Sequence, residues 1–374
     1  MSRAQSIQRW LWFLVLAAVS VGLLVFVLRD VDLEQVKAVL WRADSGMLIT
    51  TLLVSLTAFS VLPTLRWQLV LRSMGYRFGF GTLLFARFGS QPLKFAIPMR
   101  GGEAFRALYL RRRHGVPTSH GLGSVLFDLC LVVAGQLTLL CLGLAFSDAS
   151  FDYGWIALVS LVVVILCATS AGVQRGALRV VGALSSRLHD KLEELAVAFL
   201  DLSVGQKWSL YLYSLVVECA ELFIMALCFH TIGISISFGT ICTLMPVVVF
   251  ISLIPVTISG FGTRELAILT LFAGMASAVD LTGAAVLFAG VEVIVPALLG
   301  CTMLVPFLGR LSATPVAECA ATATDPSEPT TAVWPHLRER KAWWLVPIVV
   351  VVVVVALILV ATDGEMPPLL YILQ

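Results

Sequence analysis

Long apolar runs, broken by short stretches that carry the charges, extend through the whole chain. Seven runs are long enough to be membrane-crossing helices, and they lie at residues 10–28, 47–65, 121–146, 154–172, 208–230, 281–305 and 342–361. A helix of about 20 such residues crosses the hydrocarbon core of a bilayer, whereas a soluble domain cannot bury that much apolar surface. The pattern therefore predicts an all-α fold, a polytopic membrane helix bundle with about seven spanning helices.

Two further apolar regions, 82–110 and 240–278, are interrupted by proline, glycine and charged residues. Cytoplasmic loops of membrane proteins are enriched in Lys and Arg. The positions of these residues therefore test whether each region crosses the membrane or returns to the same side. If each region dips in and returns to the same side, the loop with Arg66, Arg72 and Arg77 lies inside, as do the basic segments 111–113, 173–207 and 310–341. If each crosses once, 173–207 falls outside. The pattern therefore favours two re-entrant broken-helix hairpins in a cell-membrane protein, with a cytoplasmic N-terminus and the C-terminus outside.

The chain divides by composition into three parts. Residues 1–310 hold the predicted membrane domain, and its first apolar run is too long for a secretory signal, which favours a retained helix. Residues 311–341, rich in Ala, Thr and Pro, predict a flexible cytoplasmic linker, and 342–374 predict a C-terminal anchor helix with a short tail. The segment 174–206 fits either an amphipathic helix on the inner membrane surface or an ordinary cytoplasmic connector helix.

Composition narrows the classes of function. Hydrophobic residues make up 59% of the 374 residues and charged residues 13%, with a formal net charge of +2, so nothing indicates nucleic-acid binding. The 8 cysteines are scattered, without a CxxC pair or a histidine at ligand spacing. The sequence contains no Walker loop, nucleotide-binding fingerprint or recognisable catalytic triad. We therefore expect no metal site, no cofactor and no catalytic residues.

Two glycine motifs lie in the interrupted regions. IPMRGGEAFRALYLRRR at 97–113 contains Pro98, Arg100, Gly101, Gly102, Glu103 and Arg106, and IPVTISGFGTRE at 254–265 contains Pro255, Gly260, Gly262, Arg264 and Glu265. In each motif an Ile-Pro ends a half-helix, the glycines allow a tight turn, and a second half-helix begins with Arg and Glu. Such a turn presents unpaired backbone N–H groups, and Arg adds a planar fork suited to phosphate. We predict that these residues bind an anionic head group, with the two prolines as hinges. The paired layout also resembles the inverted repeats of transporters.

Four acidic residues lie inside the predicted spans, namely Asp128, Glu218, Glu221 and Glu292. An ionised carboxylate is costly at membrane depth, so it faces a cavity or pairs with a cation. The expected partners are Arg100 or Arg106 for Asp128, and Arg264 for either glutamate of the span 208–230. Ion pairs that only fix helix packing are the alternative for all of these charges.

In these stretches the chain resembles the lysylphosphatidylglycerol synthase transmembrane-region family of flippase-like proteins. The resemblance rests on LRWQLVLRSMG at 65–75, the two glycine motifs and Asp128 in SVLFDLC, and it extends over residues 10–308. It implies an all-helical module that moves or handles a lipid with a charged head group. The family's motif positions carry over to Arg100, Gly101, Gly102, Glu103, Arg106, Asp128, Pro255, Gly260, Gly262 and Glu265. Leu129 stands where many relatives have Arg, and 311–341 is too short for the family's soluble aminoacyl-transfer domain, so we do not expect lysine transfer.

These observations favour a flippase-like protein that translocates a lipid with a phosphate-bearing or charged head group between leaflets. Arg100, Arg106 and Arg264 would bind the head group, and the buried acids would balance the charge. One alternative is a membrane-embedded enzyme or accessory subunit in the assembly of glycolipids or polyprenyl-phosphate-linked glycans. Another is a scaffold that recruits a lipid synthase or glycosyltransferase. The expected partners are membrane lipids and, in the alternatives, such an enzyme; the oligomeric state stays open.

Overall fold

The computed structural model describes residues 33–96, 101–146, 162, 202–253, 257 and 260–312, and its regular elements there are helices. These are α1 (Leu33–Arg42), α2 (Ser45–Ser73), α3 (Phe80–Ser90), α4 (Leu93–Ala96), α5 (Ala104–His114), α6 (Thr118–Phe146), α7 (Val204–Ile232), α8 (Phe238–Leu253), α9 (Thr263–Leu271) and α10, which joins Ala278–Ala289, Gly290–Ile294 and Val295–Ser312. Both α2 and α10 contain a π-helical turn, at Thr57–Val61 and Gly290–Ile294, and a 3-10 turn at Gly101–Glu103 precedes α5.

Four of these helices, α2, α6, α7 and α10, are long and apolar enough to cross a membrane. The shortest apolar stretch among them has 28 residues. At 1.5 Å per residue this is about 42 Å, more than the hydrocarbon thickness of about 30 Å. The spans predicted at 47–65, 121–146, 208–230 and 281–305 are therefore confirmed, and the protein is a membrane helix bundle. The spans predicted at 10–28, 154–172 and 342–361 lie outside the described residues, apart from Val162, as do the linker after residue 312 and most of 174–206.

The end of α2 differs from the prediction. The sequence predicts that this span stops at residue 65 and that Arg66 lies in a cytoplasmic loop, whereas the helix continues to Ser73 and buries Arg66. The π-helical turn that precedes Pro63 rearranges the backbone hydrogen bonds at the point where proline has no N–H to donate. The helix therefore passes the proline without ending and carries the arginine into the bundle. Of the three basic residues assigned to that loop, only Arg77 follows the helix.

Both interrupted regions are broken helices. In the first, α3 ends at Ser90 and α5 begins at Ala104, with α4 and the 3-10 turn between them. In the second, α8 and α9 are separated by a turn in which Gly260 and Gly262 have φ of 79° and 85°, values that glycine adopts without strain. The longest of these helices, α8, has 16 residues. That is about 24 Å, too short to cross a bilayer core alone. Pro98, Arg100 and Pro255 lie outside the described residues.

Close contacts at glycines hold the helices around a central space. A Cβ on Gly143 of α6 would lie 2.6 Å from the backbone nitrogen of Thr243 in α8, so only glycine allows this approach. Gly89 of α3 meets the ring of Phe307 in α10 in the same way, with 2.5 Å between an added Cβ and the ring Cγ. Apolar clusters join α2 to α7, α8, α9 and α10 on one side and to α3, α5 and α10 on the other. The space between these clusters contains the candidate site.

Candidate functional site

A cavity between α2, α3, α5 to α10 and the short α4 is lined by both apolar and charged side chains. The cavity has a volume of about 180 Å³. Its charged lining consists of Arg66, Arg87, Lys94, Glu103, Arg106, Asp128, Glu221, Arg264 and Glu292. Ionised groups at membrane depth are costly unless they are paired or used, so their concentration around one cavity marks a candidate functional site.

Arg66 joins acidic residues of two other helices. Its Nε donates to Oδ1 of Asp128 on α6 (2.7 Å), and its Nη1 donates to Oε1 of Glu218 on α7 (2.5 Å) and to Ser214 Oγ (3.0 Å). The other oxygen of Glu218 accepts a hydrogen bond from Gln136 Nε2 (2.8 Å). The ion-paired side chains are at most 7% exposed. Because these short bonds are charge-assisted and enclosed, the cluster fixes α2, α6 and α7 to one another.

In the first motif, Glu103 bridges two basic residues. Its Oε1 lies 3.0 Å from Nζ of Lys94 on α4, and its Oε2 accepts a hydrogen bond from Nη2 of Arg106 on α5 (2.5 Å). Gly102 permits this arrangement, since a Cβ there would lie 2.4 Å from the backbone nitrogen of Lys94. Nη1 of Arg106 lies 3.9 Å from Oδ2 of Asp128. The first motif therefore meets the Arg66 cluster at Asp128.

In the second motif, Arg264 binds two carboxylates. Its Nη2 donates to Oε1 of Glu265 (2.8 Å), and its Nη1 donates to Glu292, which lies in the π-helical turn of α10. The other oxygen of Glu265 accepts a hydrogen bond from the backbone N–H of Gly262 (2.6 Å), so this side chain caps α9. The backbone donor that the sequence predicts for an anionic ligand is thus bonded to the protein's own carboxylate in this structure.

Several buried guanidinium donors have no hydrogen-bond partner among the described residues. They are Nε and Nη1 of Arg87, Nε and Nη1 of Arg106, and Nε of Arg264. Arg87 donates from Nη2 to the carbonyl oxygen of Phe59 at 3.4 Å, and no ion pair involves it in the described part of the chain. A buried donor without a partner costs about 1–3 kcal/mol, and more when it is charged. An anion in the cavity would find its strongest interactions at these atoms.

The predicted ion-pair partner is right for Asp128 and wrong for the two glutamates of α7. Asp128 does contact Arg106, although its shorter bond goes to Arg66. Arg264 contacts neither glutamate of α7, contrary to the prediction, because Glu292 reaches it from the adjacent α10. The two glutamates of α7 also differ from each other. Glu218 is paired, whereas Glu221 lines the cavity without an ion pair to any described residue.

The polar residues of the cavity that are absent from the sequence-based prediction include Arg66, Arg87, Lys94 and Gln136. Arg66 stands in the 65–75 stretch that carries the family resemblance, but the positive-inside rule assigned it to a loop. Arg87 and Lys94 lie in the interrupted region, where a basic residue between apolar neighbours was a usable signal. Gln136 is uncharged and gives no such signal.

The cavity is chemically suited to hold an anion. Its guanidinium groups offer unbonded donors, and its carboxylates hold several of those groups in fixed positions. Among the described residues, no group of three His, Cys, Asp or Glu side chains is arranged to hold a metal ion. Arg106 and Arg264, both predicted from the sequence, face the same cavity from the two motifs.

Comparisons with known proteins identify sequences that are similar to this chain. The model of the family described as Lysylphosphatidylglycerol synthase TM region matches residues 12–300. A second model, of a family of unknown function, matches residues 330–373. The curated protein Glycosyltransferase AglD from Haloferax volcanii is 32% identical over 119 residues, which are 31% of this chain and 19% of that protein. This chain therefore aligns with less than a fifth of the length of that relative.

Proposed function

The chain belongs to the lysylphosphatidylglycerol synthase TM region family, and on that premise we propose that it binds a lipid with a phosphate-bearing or otherwise charged head group and moves it between leaflets. The observation that carries this proposal is the set of buried guanidinium donors facing one cavity inside a membrane bundle. Phosphate oxygens would satisfy these donors in the geometry that guanidinium groups favour. Apolar lining residues such as Val132 and Val248 would leave the lipid chains in an apolar setting.

Each of the two glycine motifs supplies a cation to the cavity. Arg106 and Arg264 bind the head group in this proposal, with Arg100 as a further candidate from the first motif. Glu103 and Glu265 hold the two described arginines in place through bonds of 2.5 and 2.8 Å. The glycine turns give the adjoining half-helices freedom to move as the lipid passes. Asp128 and Glu292 balance the charge while the cavity is empty.

We further propose the membrane arrangement in which this site works. Seven spanning helices surround two re-entrant hairpins at 82–110 and 240–278, related as an inverted repeat, with the N-terminus in the cytoplasm. Residues 1–310 form the lipid-handling domain, 311–341 a linker and 342–374 an anchor. The short lengths of α8 and α9 and the glycine turn between them support the hairpin at the second motif.

Reconstituted protein provides the direct test. Proteoliposomes that contain fluorescent phosphatidylglycerol report translocation as the fraction of label that dithionite bleaches over time. We expect Arg106→Ala and Arg264→Ala to slow translocation about tenfold or more, because each removes charge-assisted bonds of about 1.5–3 kcal/mol. The matched control is Arg112→Ala, since Arg112 is an exposed arginine on α5. If both variants match this control in rate and stability, the site assignment is wrong.

A second candidate function is a role in the synthesis of lipid-linked glycans. It is favoured by the 119-residue similarity to a protein named as a glycosyltransferase, although that similarity covers 19% of the relative. In this case Glu103 or Asp128 would serve transfer chemistry in the cavity. Mass spectrometry of lipids after incubation with the protein would show a covalently altered lipid that disappears in Glu103→Gln. Translocation without such a product would favour transport.

A further inference from the structure

Two charged side chains of the cavity, one of each sign, make no ion pair with any described residue. Arg87 of α3 has two buried nitrogens without a hydrogen-bond partner among the described residues, and Glu221 of α7 lines the same cavity without an ion pair to a described cation. The other charged lining residues each lie within 4.0 Å of an opposite charge. Arg87 and Glu221 are therefore the two charged lining residues without an ion pair to a described residue, and both face the same cavity.

Of the two cations that attract Glu221, Arg87 is the one without an ion pair to a described residue. Burial disfavours the ionised form of Glu221 most, and Glu218 on its own helix and Glu292 of α10 repel its carboxylate. Arg66 of α2 and, more weakly, Arg87 of α3 attract it. Arg66 is already bonded to Asp128 of α6 and to Glu218. Arg264 of α9 is bonded to Glu265 and Glu292, and α8 lines the cavity with Met245, Val248, Val249 and Ser252, which carry no charge.

We propose that an anionic head group binds at Arg87 together with a proton on Glu221, so that lipid anion and proton occupy the cavity as a unit. The inference rests on the proposed function, because it assigns a coupling ion to the same site. A phosphate oxygen that accepts hydrogen bonds from Nε and Nη1 of Arg87 cancels a positive charge that attracts the carboxylate of Glu221. One carboxylate oxygen of Glu221 then takes up a proton that the buffer releases, and the side chain becomes neutral. The added negative charge and the added proton cancel, so the net charge of the cavity is unchanged.

Thermodynamic linkage determines how pH changes the affinity of the cavity for the anion. If the bound anion favours the protonated form of Glu221, protonation tightens anion binding by the same factor. Affinity for the anion therefore falls as the pH rises through the range in which Glu221 loses its proton. Glu221→Gln is neutral at every pH, so this variant is expected to bind the anion tightly and without pH dependence.

Calorimetry on the full-length protein tests proton uptake. The protein is placed in phosphatidylcholine nanodiscs and titrated with short-chain phosphatidylglycerol in two buffers of different ionisation enthalpy. We expect uptake of up to about one proton per bound lipid, and none in Glu221→Gln. Glu34→Gln on α1 is the control, because Glu34 is an exposed carboxylate with 82% side-chain exposure, and it should behave as the unaltered protein. Binding without proton uptake across about pH 5 to 9 would overturn the coupling while leaving lipid binding in place.

A second measurement needs no lipid. Arg87→Gln removes the same positive charge that a bound anion would cancel, and Arg87→Lys retains it. Infrared difference spectra, with the Glu221 carboxyl band identified by its loss in Glu221→Gln, follow protonation against pH. In Arg87→Gln the proton should leave at a pH higher by about one unit or more, and in Arg87→Lys at nearly the original pH. An unchanged midpoint in Arg87→Gln overturns the coupling for any lipid. A shifted midpoint in a protein that binds lipid with proton uptake but moves none would reject the proposed translocation and keep the coupling.

Discussion

The buried arginines of this bundle differ in what they bond, and the difference separates structural from ligand-binding roles. Arg66 donates from Nε and Nη1 to two carboxylates and a hydroxyl, so most of its donors are already bonded within the protein. Arg87 and Arg106 each have two buried nitrogens without a hydrogen-bond partner in the described part of the chain. A donor already bonded within the protein gains little from an anion, whereas an unbonded one gains most. Arg66 therefore belongs to the scaffold, and the other two face the ligand.

Removing Arg66 tests its structural role. Arg66→Ala leaves Asp128 and Glu218 buried without their main cation, and breaking a buried ion pair in this way costs about 3–5 kcal/mol. We expect a clear fall in the temperature at which the detergent-solubilised protein unfolds, followed by intrinsic fluorescence. Arg112→Ala, at an exposed position of α5, should unfold near the temperature of the unaltered protein. Equal stability of the two variants would mean that the cluster contributes little.

His114, at the end of α5, makes stability depend on pH. Burial lowers the pKa of His114 below its ordinary value, and the positive charge of the neighbouring Arg113 lowers it further. As the pH falls below about 6.5, the unfolded chain takes up this proton before the folded protein does, so stability decreases, by less than about 1.4 kcal/mol per pH unit. Above that pH His114 is neutral in both states and contributes no dependence. In thermal unfolding at pH 8 and about pH 5, His114→Gln should lose less stability on acidification than the unaltered protein. Equal losses would assign the acid sensitivity to other groups.

The motif residues could be predicted from the sequence because glycine, proline and arginine inside an apolar run have a strong physical cost. Their pairing could not be predicted. Which carboxylate meets Arg264 depends on how α9 packs against α10, and that contact brings Glu292 to it. The position of Arg66 was misjudged because an arginine usually ends a span, and its neutralising partners lie 62 and 152 residues further along the chain.

At the scale of helices, glycine contacts decide how closely the elements approach. Gly143→Ala on α6 would place a methyl group 2.6 Å from the backbone of Thr243, so α6 and α8 must separate. We expect a loss of about 1–3 kcal/mol in unfolding free energy, measured by denaturant titration in detergent. Gly309→Ala, on α10 with nothing within 4 Å of an added Cβ, is the matched control. It should gain about 0.5–1 kcal/mol, because alanine loses less entropy than glycine in a helix. Equal effects of the two changes would show that the α6–α8 contact tolerates a wider spacing.

Across the whole molecule, helix packing shows which elements lie together at each end of the bundle. Val39 of α1 lies against Gly283 near the start of α10. At the other end of α10, Phe307 stacks on Tyr109 of α5 with 5.5 Å between ring centroids. The positive-inside rule puts α1 outside and the basic end of α5 inside. Since α10 runs from the first group to the second, the packing is consistent with the loop charges.

Reporter fusions would determine that orientation. Green fluorescent protein fused after Ser312 should fluoresce in a bacterial host, because the basic end of α10 is expected in the cytoplasm. The same reporter fused after Gln374 should stay dark, and alkaline phosphatase there should be active, if the apolar run 342–361 crosses the membrane once more. A reversed pattern would invert the whole assignment and place the arginines of 111–113 outside. Fluorescence from both fusions would retain the orientation of the bundle and show that the last apolar run does not cross.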